Sequence, residues 1–122
     1  LKHKKWIVEL CAEFETEFPL FPEDVQDELL AHAMLLEEFG PQLGRPTVDT
    51  LKGSSHANMK ELRFDADNGV WRVAFAFDPT RHGILLVGGD KSGSSETRFY
   101  RTLIKKADQR FDNHLLKLKE KK

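Results

Sequence analysis

Cys11 is the only cysteine in this chain of 122 residues, so no internal disulfide can form and a reduced, cytoplasmic setting is expected. A lone cysteine in a β-branched run reads as a small buried residue rather than a nucleophile. Long apolar runs are also missing: none approaches the roughly 20 residues that a bilayer-spanning helix needs. Lys4-Lys5 is followed by only a short apolar run, broken at Glu9, which does not read as a secretory signal. No membrane association is expected. The histidines His3, His32, His56, His82 and His114 lack metal-ligand spacing, and a structural zinc site is not expected beside one cysteine. No Gly-x-Ser-x-Gly elbow or Ser-His-Asp arrangement is evident, which argues against acyl-transfer chemistry. His32 and His114 read as helix-surface or core-edge residues, and His56 and His82 as weak acid–base candidates in loops.

A nucleotide loop is missing as well, although Val87-Gly88-Gly89-Asp90-Lys91-Ser92-Gly93 invites that reading. A P-loop needs glycine six residues before its lysine and again directly before it, so that backbone N–H groups can wrap a phosphate. Here those positions hold Leu85 and Asp90, and a carboxylate beside the lysine repels phosphate. What remains is a strand end, a turn carrying Lys91 and a helix start.

What is present is ordinary in bulk and uneven along the chain. Hydrophobic residues make up 39% and charged residues 32%, a composition suited to one soluble domain over residues 1–122 with a single core. The net charge of −1 conceals segregation. Residues 1–44 hold three basic and ten acidic side chains, residues 45–97 hold seven of each, and residues 98–122 hold nine basic and three acidic. The basic end suits nucleic acid or an acidic partner, or else is a solvated helix face balancing the acidic one.

KWIVELC, residues 5–11, predicts a first strand, and FETEFPLFP an acidic, aromatic connection. PEDVQDELLAHAMLLEEFG predicts a helix: Pro22 is in its first turn, Glu23 and Asp24 sit at the positive end of its dipole, and Gly40-Pro41 stops it. Its apolar stripe is Val25, Leu29, Ala33, Leu36 and Phe39. Residues 41–58 read mostly as loop, with one short turn around Val48–Leu51. Turn signals at Asn68-Gly69 and at Asp78 to Gly83 divide the next block into a three-strand antiparallel meander. From Thr97 to Leu118, apolar residues recur at Tyr100, Leu103, Ile104, Ala107, Phe111, Leu115 and Leu118, which predicts a helix. The expected fold is α+β, with the sheet covered on one face.

A two-residue turn at Asn68-Gly69 would set Leu62 opposite Phe75, Phe64 opposite Val73 and Lys60 opposite Phe77 on the helix-packed face. On the other face Arg63 would oppose Ala74, Glu61 would oppose Ala76 and Asp65 would oppose Arg72. That face admits two readings. Asp65 and Arg72 could be an exposed ion pair among solvated neighbours, or the arginines could form an anion site, since guanidinium donors match phosphate oxygens. Lys91 and the segment carrying Arg98, Tyr100 and Arg101 are delivered to the same rim.

The strings LKGSSHANMKELRF, VWRVAFAFD, LLVGGDKSG and RFYRTLIKKADQRFDNHL together resemble the RelE/ParE superfamily of bacterial toxins, in its HigB-like, phage-derived branch. The resemblance spans about residues 5 to 118 and implies a small α+β fold with an antiparallel sheet. It implies the toxin of a type II toxin–antitoxin pair, in most cases an endoribonuclease that cuts mRNA at the ribosome, with no metal or cofactor. The implied partner is a cognate DNA-binding antitoxin, probed for as a helix-turn-helix protein. By position, Arg72 matches the family's arginine on the middle strand and Arg63 the basic residue ending the strand before. Lys91 falls near the basic residue after the last strand, and Tyr100 near a tyrosine beyond it. The implied roles are phosphate stabilisation for Arg63 and Arg72, a second electrostatic group in Lys91, and a base or stacking residue in Tyr100. Lys52, Lys60, Arg98, Arg101 and Lys105 are the implied RNA-binding residues. Two other readings follow from the same resemblance: a ParE-like toxin that binds a protein such as DNA gyrase, and an inactive binding module.

Overall fold

The computed structural model describes residues 6–121, so the Lys5 end of the first expected strand lies outside the described residues. Five strands form one sheet in the order β1-β5-β4-β3-β2: β1 Ile7–Leu10, β2 Val48–Thr50, β3 Lys60–Ala66, β4 Gly69–Phe77 and β5 His82–Asp90. Among the described residues three α-helices accompany them: α1 Ala12–Glu17, α2 Glu23–Phe39 and α3 Glu96–Glu120. The α+β class and the meander β3-β4-β5 agree with the sequence reading. Two short elements do not appear in it. FETEFP holds most of α1, and β2 occupies the stretch read as a turn around Val48.

β1 pairs in parallel with the start of β5, Ile7 opposite His82 and Leu10 opposite Leu85, so the rest of the sheet and both N-terminal helices lie in the crossover between them. The sheet is covered on both faces rather than one. On one face α2 sets His32 against Phe64, while Phe14, Phe21 and Val73 crowd around Gly88. On the other, α3 brings Phe99 against Gly89 and buries Leu103, Ala107 and Phe111. α2 buries Val25, Leu29 and Leu36, whereas Phe39 at its end stays exposed. α3 is capped by Ser95, whose hydroxyl accepts from the Arg98 N–H. At the β4–β5 bulge Leu86 has no Cα partner on β4, and its carbonyl accepts from Arg110 of α3 at 2.8 Å. Arg110 also forks onto Glu17 of α1, an arrangement that ties both helices to the bulge.

The β3–β4 turn lies one residue earlier than expected. Asp67 and Asn68 are its central residues, with φ of 51° and 59°, and Ala66 pairs with Gly69. Both values suit a type I′ turn, and Asp and Asn accept left-handed backbone better than most residues. The pairing therefore moves by two: Lys60 opposes Phe75, Leu62 opposes Val73, Arg63 opposes Arg72 and Asp65 opposes Val70. A shift of two keeps every side chain on its expected face. Gly69 serves a different need from turning. A Cβ there would lie 2.6 Å from the Asp90 carboxylate, which accepts from the backbone N–H groups of Val70 and Ser92. Burial acts to raise the Asp90 pKa, but a hydrogen bond from the Ser92 hydroxyl, together with those backbone bonds, holds the carboxyl below its ordinary value. Gly69→Ala is expected to displace Asp90 and cost about 1–2 kcal/mol in urea denaturation; an unchanged midpoint would mean that Asp90 moves freely.

Candidate functional site

Register brings two arginines face to face on the α3 side of the sheet, Arg63 on β3 and Arg72 on β4. Like charges in directly opposed positions destabilise a sheet unless carboxylates intervene. Two do. Glu61 Oε1 lies 3.8 Å from Arg72 Nε, and Asp49 Oδ2, from β2, lies 3.6 Å from an Arg63 nitrogen. Asp49 is shared with Arg45 at 3.2 Å, and the Thr50 N–H and Arg45 hold its carboxyl below the ordinary value. The expected Asp65–Arg72 pair does not form, because Asp65 opposes Val70 and is exposed. Glu61, expected to be solvated, is the carboxylate that faces Arg72.

Tyr100 of α3 closes this pair from above, its hydroxyl donating to Glu61 Oε1 at 2.9 Å. Glu61 and Arg72 are left only 5% and 6% exposed. Burial pushes the Glu61 carboxyl above its ordinary pKa, and the Tyr100 hydrogen bond and the Arg72 and Arg63 charges do not offset it. Burial and the Glu61 carboxylate likewise raise Tyr100, so the phenol is kept protonated as a donor rather than prepared as a base. Arg72 donates from one terminal nitrogen to the Trp71 carbonyl at 2.8 Å, while its buried Nε donates no hydrogen bond. A buried guanidinium donor without an acceptor is uncommon in a settled core.

The β5 end completes the rim. Lys91 Nζ lies 5.9 Å from the Tyr100 ring centroid and 3.2 Å from Glu96, on the first turn of α3. Arg63, Arg72, Lys91 and Tyr100 are thus gathered on one face, with Lys91 and Arg63 towards solvent and Arg72 beneath. Glu61 was missed as a member because an acid alternating with Leu62 reads as a solvated residue. The signal available was its place on the same face as Arg63, two residues along. The RNA-binding set is more scattered. Arg98, Arg101 and Lys105 are exposed on α3, at spacings that share a face. Lys52 is exposed beside Gly53, which approaches Ile104 of the same helix. Lys60 points to the opposite face of the sheet, where it donates to the Pro41 carbonyl.

A buried Arg–Glu–Tyr cluster on a small α+β sheet, rimmed by further cations, can be compared with known proteins. Residues 16–112 match the family of phage-derived Gp49-like proteins. The chain belongs to this family. This Gp49-like chain is 47% identical over 89 residues to HigB2, a toxin candidate of Mycobacterium tuberculosis, in a match covering 72% of the chain and 44% of HigB2. It is 53% identical over 81 residues to HigB3, a toxin candidate of the same organism, covering 66% of the chain and 68% of HigB3. The chain thus spans less than half of HigB2. Its fold is similar to that of a mutant Escherichia coli toxin RelE in the free state: the TM-score is 0.57 at 10% identity, over 81% of this chain and 93% of that one. At such identity the likeness concerns the fold.

His3 lies outside the described residues; the other four histidines and the cysteine of the Gp49-like chain have structural partners. His56 Nε2 lies 2.7 Å from Asp112, next to the contact of Ser54 and Ser55 with Asp108, and so pins the 52–58 loop to α3. His82 meets Glu9 across the β1–β5 pair, and His32 Nδ1 contacts the Glu28 carbonyl within α2. His114 contacts Asp78, described below. Cys11 is buried directly after β1, its thiol 3.5 Å from the Leu86 carbonyl and raised in pKa by burial, which fits a packing role. Among the described residues no group of three or more His, Cys, Asp or Glu could hold a metal ion, and no helix is long and apolar enough to cross a membrane.

Proposed function

We propose that this chain is the toxin of a type II toxin–antitoxin pair and acts as a metal-independent endoribonuclease on mRNA at the ribosome. Family membership and the likeness to the toxin candidates HigB2 and HigB3 support the toxin part of this reading. The observation that carries the chemistry is the buried Arg72, whose Nε lies 3.8 Å from Glu61 without a hydrogen-bond acceptor, beside a carboxylate of raised pKa and a protonated phenol.

RNA is cut without a metal when a 2′-OH attacks the adjacent phosphate, giving a cyclic phosphate and a free 5′-OH. The 2′-OH must lose a proton and the leaving 5′ oxygen must gain one. Negative charge also grows on the phosphorane and calls for cations. Glu61 serves as proton acceptor, because a carboxyl shifted upward is a stronger base than an ordinary one. Arg72 supplies the guanidinium that meets the phosphorane, with Lys91 and Arg63 at the rim. Tyr100 is placed to give a proton or to stack on a base, since its raised pKa disfavours a phenolate. Arg72 and Glu61 lie under Tyr100 in the free chain, so phosphate engagement goes with displacement of Tyr100 from Glu61. Binding energy from the ribosome would drive that displacement.

The test is inducible expression of the wild type and of Arg72→Ala with transcriptome-wide mapping of mRNA 5′ ends. New ends carrying 5′-OH groups are expected with the wild type and should vanish with Arg72→Ala at equal protein level. Growth arrest with DNA-damage signalling and no new ends would replace the nuclease reading with a gyrase-directed one.

A further inference from the structure

Across the sheet from Arg72, the α2 side carries an acidic, apolar surface that the proposed chemistry does not use. Leu30 and Met34 of α2 are 50% and 64% exposed. Between α2, β1 and the turn after α1 runs a cleft of about 260 Å³ lined by Val8, Leu10, Phe18, Leu30, Ala33 and Met34. A contiguous exposed apolar patch rimmed by charge marks an interaction surface more often than chance packing. β1 is also an edge strand, hydrogen-bonded to β5 on one side alone, and such edges accept added segments.

Charge determines the kind of occupant. From Trp6 to Gly44 the sequence has ten Asp or Glu and no Lys or Arg. Along α2, Asp27, Leu30, Met34 and Glu37 follow one another at spacings of three and four, so acids bracket the exposed apolar pair on one stripe. Nucleic acid and anionic lipid are repelled by this surface. A second copy could offer its own basic α3, but that contact joins unlike surfaces and gives rings or open filaments rather than a two-fold dimer.

We propose that the α2–β1 face docks a Lys/Arg-rich amphipathic segment of a protein partner, which is the antitoxin if the toxin reading above holds. The partner's apolar side fills the cleft at Leu30 and Met34, and its cations meet the acids of α2. Docking there leaves Arg72, Glu61 and Tyr100 uncovered, so this face and the reactive one can be altered independently.

The test uses the full chain and the antitoxin expressed from the same operon, with Met34→Lys and Asp27→Lys as variants. Both positions are exposed, so folding should persist, as a circular dichroism melt would verify. Each variant is expected to weaken antitoxin binding by at least about tenfold while cleaving mRNA like the wild type when the antitoxin is absent. Complex formation should protect backbone amides in residues 7–10 and 27–37 from hydrogen exchange. Wild-type affinity in both variants would overturn the proposal, as would protection confined to α3 or β2. So would concentration-dependent self-association abolished by Met34→Lys with antitoxin binding intact. Loss of antitoxin binding by a chain that cuts no mRNA would sustain the docking face and remove the nuclease reading alone. A wild-type chain that binds no such protein would remove both the docking face and the toxin reading.

Discussion

Replacing Glu61 by Gln should slow mRNA cleavage by about 10²–10⁴-fold, the usual contribution of a positioned general base, without lowering the melting temperature at neutral pH. The two halves of this expectation come from the same observation. Glu61 is buried against β4 and beneath Tyr100, and its carboxyl is pushed above the ordinary range by desolvation that Arg72 does not offset. A raised folded-state pKa means that the native state binds the proton more tightly than the unfolded chain does. Its contribution to stability is therefore complete below the unfolded value, 4.5 for an ordinary glutamate, and is lost as pH rises through the folded value. At neutral pH the ionised Glu61 is a liability, and a neutral amide of the same shape removes it. Glu61→Gln should thus match or exceed the wild type in thermal stability at pH 7, with the gap closing as pH falls. A purely structural Glu61, holding Arg72 in place as its counter-ion, makes the opposite prediction: a lower melting temperature. The pH–rate profile adds a second readout. Wild-type kcat/KM should rise with pH through a limb displaced upward from that of an ordinary carboxylate, and the Gln variant should lack that limb.

Tyr100 and Glu61 show where sequence reasoning reaches its limit. The alternation in ELRFDA and VWRVAFAF assigns side chains to faces, and that assignment survived a two-residue change of register because the period of a strand is two. Pairing did not survive it, because an Asp67-Asn68 turn and an Asn68-Gly69 turn look alike until the Gly69–Asp90 approach is visible. The long helices were legible from their stripes and caps. α1, with six residues, is too short to show a stripe, and β2, with three residues between Pro46 and Gly53, offers no alternation. The β1–β5 pairing joins residues more than seventy positions apart, and no local pattern carries it. Burial of Glu61 depends on which face α3 covers, a tertiary choice that pattern leaves open. The arginines, the lysine, the tyrosine and Glu61 were therefore legible as neighbours on one face, whereas the burial of Glu61 against Arg72, on which its proposed role rests, was not.

The largest stability change is expected far from that face. Asp78 directly follows β4 with its side chain wholly inaccessible, and one carboxylate oxygen accepts from the Thr80 N–H at 2.8 Å, the Thr80 hydroxyl at 2.7 Å and the His82 N–H at 3.1 Å. The other lies 2.8 Å from His114 Nε2 of α3. One side chain thus shapes the β4–β5 turn, where Arg81 takes a φ of 68°, and fastens that turn to the last helix. His114 in turn stacks on Phe111, a core residue of α3. Asp78→Ala leaves several donors without acceptors and breaks a buried pair, a loss of about 3–5 kcal/mol. For a chain of this size that corresponds to a fall in melting temperature on the order of 10–20 °C. Asp78→Asn should cost less, because its carbonyl can still accept from Thr80 and His82. The pH dependence distinguishes the carboxylate from a mere acceptor. Burial acts to raise the Asp78 pKa, but the hydrogen bonds from His114, Thr80 and His82 outweigh it and hold the folded value below the ordinary 3.8. A depressed folded pKa contributes stability above the unfolded value and loses it as pH falls through the folded one. Wild-type stability should drop in acid below about pH 4 on this account, and the Asp78→Asn variant should lack that part of the drop. Parallel acid melts of the two proteins would show no difference if the carboxylate charge contributed nothing, leaving the turn geometry alone to explain the Ala variant.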